Sequence, residues 1–335
     1  MFDIMNDTRL YNLDALRITA AFMVVMIHVS GYFLIKTDLN LFDTYFISVF
    51  SSLVRSAVPL FFMISGVVFL NPAKGFTVKY LINKIVRLLV ILFVWNLLYA
   101  LIDTWNEFTL YEFIKRTWKG HFHMWFFEYM IGVYILIPVM KALVEYKDGK
   151  FIPYYIAVFF LFGIIRTTFN SIPYLNEEIR IITSKVHVEF CDFCGYFMLG
   201  YFLSKIKLKL PPYIYFIGYL LMVVLHFTII SVLDIQLIGA DAFTIFIFIE
   251  SSMLFLLFRD VSIKIKNFKL LLLMSKATLG VYLIHPLFLE NFKTGFIDVL
   301  PVYFALPVLY VIILSLSFSA SVLLNKIPVV NKWLV

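Results

Sequence analysis

The chain has 335 residues, 62% of them hydrophobic and 15% charged, with 28 Lys and Arg against 21 Asp and Glu. So little polar side chain cannot cover so much apolar surface in water, which excludes a soluble globular domain. Apolar runs of about 17 to 25 residues recur, each able to cross a roughly 30 Å hydrocarbon core, so the chain reads as an all-α integral membrane protein.

Ten membrane segments are predicted in chain order, at 11–34, 44–70, 80–102, 123–144, 152–169, 189–204, 211–233, 240–258, 270–290 and 300–324. The first is long, carries Arg17 and lacks a small-residue cleavage site after it, so it is expected to stay as a membrane helix and not to be removed as a signal peptide. The whole chain, 1–335, reads as one membrane domain. Eight basic residues (Lys36, Lys115, Arg116, Lys119, Arg166, Arg180, Lys185 and Lys293) fall in turns on one side, eighteen fall in the termini and the other turns, and Arg17 and Arg55 lie within segments. The positive-inside bias then predicts cytoplasmic N- and C-termini, and the basic balance is topology and not a nucleic-acid footprint.

Within segment one, Arg17 and His28 are eleven residues apart. Eleven steps of 100° return to within about 20° of one helix face and climb about 16 Å, so one helix aims a permanent cation and a titratable imidazole into one cavity. Ionisable groups are costly in hydrocarbon and commonly mark a pathway or a site. The competing reading is an Asp14–Arg17 pair at i, i+3 near the membrane surface with a hydrogen-bonded core histidine. Counting inward from the cytoplasmic boundaries brings Arg55, His226 and His285 to about the depth of His28. For His226 a structural role is favoured, and His285 precedes Pro286, so it could satisfy a carbonyl that the proline leaves without a donor. Arg55, permanently charged and deep, is expected to bind an anion or polarise an oxygen.

On the outer side, the stretch His121-Phe122-His123-Met124-Trp125-Phe126-Phe127-Glu128 offers His123, Trp125 and Glu128 as an acceptor-side mouth, although interfacial aromatics are also ordinary membrane anchors. On the inner side, Lys84 and Arg87 lie one turn apart, where a phosphate-bearing ligand would find two cations. Cys191 and Cys194 form the lone Cys-x-x-Cys; without a second ligand pair, two free thiols at a helix interface are expected and no metal.

Together these residues resemble the membrane acyltransferase family 3. The stretch Tyr11-Asn12-Leu13-Asp14-Ala15-Leu16-Arg17 running to His28 is similar to that family's basic-residue, ten-residue-gap, histidine motif. Val58-Pro59-Leu60-Phe61-Phe62-Met63-Ile64-Ser65-Gly66 resembles its second-helix signature, Lys84-x-x-Arg87 its Arg-x-x-Arg donor pair, and His123-Met124-Trp125-Phe126 and Ser275–Pro286 its later segments. Lysine in place of the first arginine keeps the charge but loses bidentate phosphate geometry.

The resemblance implies a multi-pass protein of the bacterial cytoplasmic membrane that moves an acyl group, most often acetyl, from cytoplasmic acyl-CoA to a hydroxyl of an envelope glycan or related acceptor. It implies no tightly bound cofactor: acyl-CoA is a co-substrate, held by Lys84, Arg87 and Arg17. His28 is the expected general base and Arg17 its helix-one partner, with Arg55 stabilising the oxyanion. Asp14, His123, Trp125, Glu128 and His285 complete the expected substrate side. Direct transfer and an acyl-histidine intermediate both fit. The rival from another class is a transporter or exporter of a glycan or amino acid, in which the same buried charges line a translocation path. No motif bears on oligomeric state.

Overall fold

The computed structural model describes residues 11–35, 39–72, 77–172, 192–233, 242–261, 268–296 and 300–335. Its helices are α1 Tyr11–Leu34, α2 Leu41–Val54, α3 Ala57–Phe69, α4 Val78–Thr104, α5 Leu110–Lys119, α6 Trp125–Glu145, α7 Ile152–Asn170, α8 Phe193–Lys205, α9 Pro212–Leu233, α10 Ile245–Asp260, α11 Phe268–Phe296, α12 Val302–Leu324 and α13 Pro328–Trp333. No strand occurs among the described residues. Eight helical spans are long and apolar enough to cross a membrane, taking α2 and α3 together as one. Predicted segments six and eight correspond to α8 and α10, of 13 and 16 residues, shorter than those eight. Cys191, Lys36, Arg180 and Lys185 lie outside the described residues.

Segment two is interrupted. α2 ends at Val54 and α3 begins at Ala57, with Arg55 and Ser56 between them. Pro59 stands four residues after Arg55 and has no N–H to give the Arg55 carbonyl, so the helical ladder opens at that point. Segment seven, 211–233, fits α9 closely, and α11 runs through Pro286 without stopping. A helix absent from the ten-segment reading, α5, sits in the turn after α4. It leaves Tyr111, Ile114 and Trp118 exposed on one face, three and four residues apart, as an interfacial helix would.

α1 is the most buried of the long helices and packs against α11, α2, α3 and α12. The tightest pairings are α11 with α12, α8 with α3, and α9 with α10. Membrane helices gain little from hydrophobic association with one another, so small residues that admit a close backbone approach matter. An added Cβ at Gly66 would fall 1.8 Å from the Phe197 carbonyl oxygen, and one at Gly200 would fall 2.2 Å from that of Met63. α3 and α8 therefore meet backbone to backbone.

One end of the helical assembly is tied together by one arginine. Arg259, grouped with the loop cations by sequence, is buried and donates to the carbonyls of Leu203 at 2.6 Å and Leu208 at 2.5 Å, while pairing with Asp260 at 2.6 Å. Asn12 donates to the Val261 carbonyl at 3.1 Å, pinning the start of α1 to the end of α10. The cation thus satisfies carbonyl groups that the ends of α8 and its following loop leave without donors.

Candidate active site

Arg17, Lys84 and Arg87 line one cleft of ≈ 490 Å³, which also takes in Lys276. Its described lining holds four cationic side chains and no acidic side chain. Arg17 pairs with Asp14 at 3.6 Å, and Ser275 on α11 donates to the same Asp14 oxygen at 2.5 Å, so a buried carboxylate behind the cleft wall orients the guanidinium from α1. Arg87 already donates to a main-chain oxygen of the last residue, Val335, at 2.6 Å and more weakly to the carbonyl of Asn331, which makes the segment around α13 the floor of the cleft. Trp95 fastens the same segment by donating to Leu334 at 3.0 Å.

At its inner end the cleft is walled by aromatic rings, Phe61, Phe126, Phe127 and Tyr282. Immediately beyond them lies a layer of imidazoles. The Tyr282 hydroxyl donates to the His123 carbonyl at 2.5 Å, and its ring lies 5.5 Å from that of His123 and 6.0 Å from that of His285. The His28 and His285 rings are 5.0 Å apart, and the His285 and His123 rings 5.7 Å. Helix α1 is unbroken between Arg17 and His28, so the two stand about 16 Å apart along its axis, one in the cationic cleft and the other in the imidazole layer.

Two further groups join that layer. His121 meets His123 through their Nδ1 atoms at 2.8 Å and meets Glu290 through Nε2 at 3.1 Å, while Tyr99 stacks on the His121 ring at 4.0 Å. His123 lies in the turn ahead of α6; its burial, and then the neighbouring His285, push it well below the usual imidazole range. Arg55 is hydrogen-bonded by its Nε to Ser51 at 3.1 Å and lies within electrostatic reach of both His28 and Glu250.

The structure does not bring together every residue singled out from the sequence. Trp125 and Glu128 are exposed and turn away from the imidazoles. Glu128 lines a separate shallow recess with Tyr129 and Cys194, and Trp125 packs on Tyr129 and Phe193. His226 pairs with Glu250 at 3.0 Å inside the α9–α10 packing, both fully buried. His285 donates from Nδ1 to the Val281 carbonyl of its own helix at 3.0 Å, one residue before the Tyr282 carbonyl that Pro286 leaves without its N–H, and its ring also faces the layer.

Sequence reasoning passed over Glu250, Glu290, Tyr99 and Tyr282. Glu250 was open to the argument that flagged Arg55, since it is an acid in the middle of an apolar stretch. Glu290 gave no such signal, because it sits at the end of its predicted segment.

On the opposite end of α4 from Lys84, a second cleft of ≈ 400 Å³ is lined by Tyr99, Asp103, His121 and the α5 residues Glu112, Lys115, Arg116 and Lys119. Donor atoms of Asp103, His121 and Glu290 converge within 4.8 Å, and Arg116 supplies a positive charge to Asp103 at 3.4 Å.

A family profile described as an acyltransferase domain matches residues 10–326, nearly the whole chain. The chain belongs to the membrane acyltransferase family 3. No curated protein and no solved structure matches it. As a multi-pass membrane acyltransferase, it carries its strongest positive cleft at one end of α4 and a mixed-charge cleft at the other, with the imidazole layer between them.

Proposed function

We propose that this acyltransferase takes an acyl group, acetyl in the simplest case, from cytoplasmic acyl-CoA and delivers it to a hydroxyl of an envelope glycan or related acceptor that approaches from the other face. The observation that carries this reading is the cleft in which Arg17, Lys84, Arg87 and Lys276 converge, closed at its inner end by rings that touch the imidazole layer. Phosphates bind well to clustered cations. A long pantetheine arm would then run from the cationic mouth toward His28.

In this reading His28, uncharged, accepts the proton of the attacking hydroxyl as its oxygen bonds to the thioester carbonyl carbon. Arg55 supports the oxyanion that forms there, within a site where water is excluded. The carbon–sulfur bond breaks, and the thiolate leaves toward the cytoplasm with the proton returned from His28. Asp14 orients Arg17 and takes no part in the chemistry.

The test uses the purified protein in lipid nanodiscs with acetyl-CoA labelled on the acetyl group and an envelope membrane fraction as acceptor. Saturable CoA binding together with transfer of label to envelope material, with no ion gradient present, is the expected result. Absence of both binding and transfer by folded protein would refute it, as would flux of a solute without thiol release.

A further inference from the structure

Helices α1 and α11 run side by side in the same direction. Ser275 of α11 donates to Asp14 of α1 at 2.5 Å, and further along both helices the His285 and His28 rings stand 5.0 Å apart. Between these two meetings α11 lines the cationic cleft at Ser275, Lys276, Thr278, Leu279 and Tyr282, a spacing that keeps one helix face on the cleft. Tyr282 is the last of them, about 10 Å along the axis from Ser275, and His285 follows about 4.5 Å beyond it. His28, His123 and His285 are not part of this cleft's lining. An arm that enters among Arg17, Lys84 and Arg87 therefore meets the Tyr282 ring before it reaches the imidazoles.

That ring is held on several sides. Its hydroxyl donates to the His123 carbonyl at 2.5 Å, and it lies 5.2 Å from the Phe126 ring and 5.6 Å from the Phe127 ring on α6. Phe126 in turn packs 5.8 Å from Phe61 and 5.3 Å from Phe62 on α3. Three helices thus each contribute rings to the wall. The backbone that carries Tyr282 is less tied than its side chain: Pro286, four residues on, has no N–H for the Tyr282 carbonyl, so the ladder of α11 opens at the residue that bears the ring.

Side chains packed this closely take in added methylenes only by leaving their preferred rotamers. We propose that Tyr282 is the specificity-determining residue for the acyl group: its ring bounds the space in which the acyl end of the donor must lie to present its carbonyl to His28, so that acetyl fits and longer chains do not. The proposal rests on the acyl-transfer reading above and adds to it a limit on donor size. That limit is set at the entrance to the imidazole layer, a helical turn below His285, and not in the cationic mouth.

The protein in nanodiscs is assayed for acceptor-dependent thiol release, with the envelope membrane fraction as acceptor and acetyl-CoA, butyryl-CoA and hexanoyl-CoA as donors. Donors are compared as a ratio of kcat/KM values on one sample, so any unfolded fraction cancels. The wild type is expected to favour acetyl over butyryl by about ten-fold or more, the discrimination that a methylene or two commands in a closed apolar pocket. Tyr282→Ala should lower that preference by about ten-fold, since the space freed by the ring lies where the extra methylenes must go. Tyr282→Phe, which keeps the ring, should keep the preference. A merely structural Tyr282 would instead slow all three donors together and leave their ratios unchanged.

If Tyr282→Ala does not fold, Tyr282→Leu, which removes the ring but keeps a branched apolar side chain, is read in the same way. Wild-type rates that do not favour acetyl, or a preference that survives loss of the ring in a folded variant, would overturn the assignment of Tyr282 and leave acyl transfer standing. Wild-type protein that binds none of the three donors and releases no thiol would overturn the acyl-transfer reading itself, and the limit on donor size with it.

Discussion

Replacing Gly200 with alanine tests whether the α3–α8 contact holds the donor cleft in shape. A Cβ there would lie 2.2 Å from the Met63 carbonyl oxygen and 2.4 Å from the Met63 Cα. Ordinary contact begins at 3.4 Å, so the two backbones must part by about 3.4 − 2.2 = 1.2 Å, and no flexible side chain is present to yield instead. Overpacking of this kind costs about 1–3 kcal/mol. The damage should reach the chemistry, because α3 supplies Phe61, Ser65, Val68 and Phe69 to the cationic cleft and a misplacement of about 1 Å can cost on the order of 10²-fold in rate. The control is Gly132→Ala on α6, where a Cβ meets nothing within 4 Å. That change should be neutral or stabilise by up to about 1 kcal/mol through helix propensity. Thermal unfolding of both variants in one detergent, followed by intrinsic fluorescence, reads the difference. Gly200→Ala should melt several degrees lower and Gly132→Ala at or above the wild type. Equal melting temperatures for all three proteins would refute the close-packing argument.

Arg87→Ala should raise the KM for acetyl-CoA by about ten-fold or more, in line with loss of a charge-assisted phosphate contact; steady-state kinetics with Arg87→Lys as the charge-retaining comparison checks this, and an unchanged KM would return Arg87 to anchoring the chain near Val335. His28→Ala should lose about 10² to 10⁴ in transfer rate while retaining CoA binding, as read by calorimetry and label transfer on one monodisperse sample; near-normal transfer would remove His28 from the mechanism. A single cysteine at Lys119, with both native cysteines replaced, should react with an impermeant maleimide from outside intact cells, whereas one at Lys332 should not, and the opposite pattern would reverse the assignment of the two faces.

Much of the fold could be read from apolar run length, because a membrane span must satisfy its backbone internally and so announces itself as a continuous stretch. The break at Arg55 was also within reach, since Pro59 stands four residues beyond it. α5 escaped because its apolar residues are interleaved with Lys115, Arg116 and Lys119, so its signal is periodicity and not length. Arg17 and His28 were legible from spacing on one helix. The partnership of Glu290 with His121 was not: 169 residues separate them, and only the packing of the helices brings a carboxylate at the end of α11 onto the turn before α6. Trp125 and Glu128 were grouped with His123 by proximity in sequence, yet the start of α6 turns their side chains to other faces.

The rings of Tyr99, His121, His123, Tyr282 and His285 pack between two clefts that lie toward opposite ends of α4. A protein with recesses serving both sides of a membrane risks becoming a leak, since a continuous file of water through it would short-circuit the gradients on which the cell depends. In the proposed transfer this layer is where such a file has to be interrupted: only the small neutral tip of an extended arm would pass between the rings, and hydrated ions would be excluded.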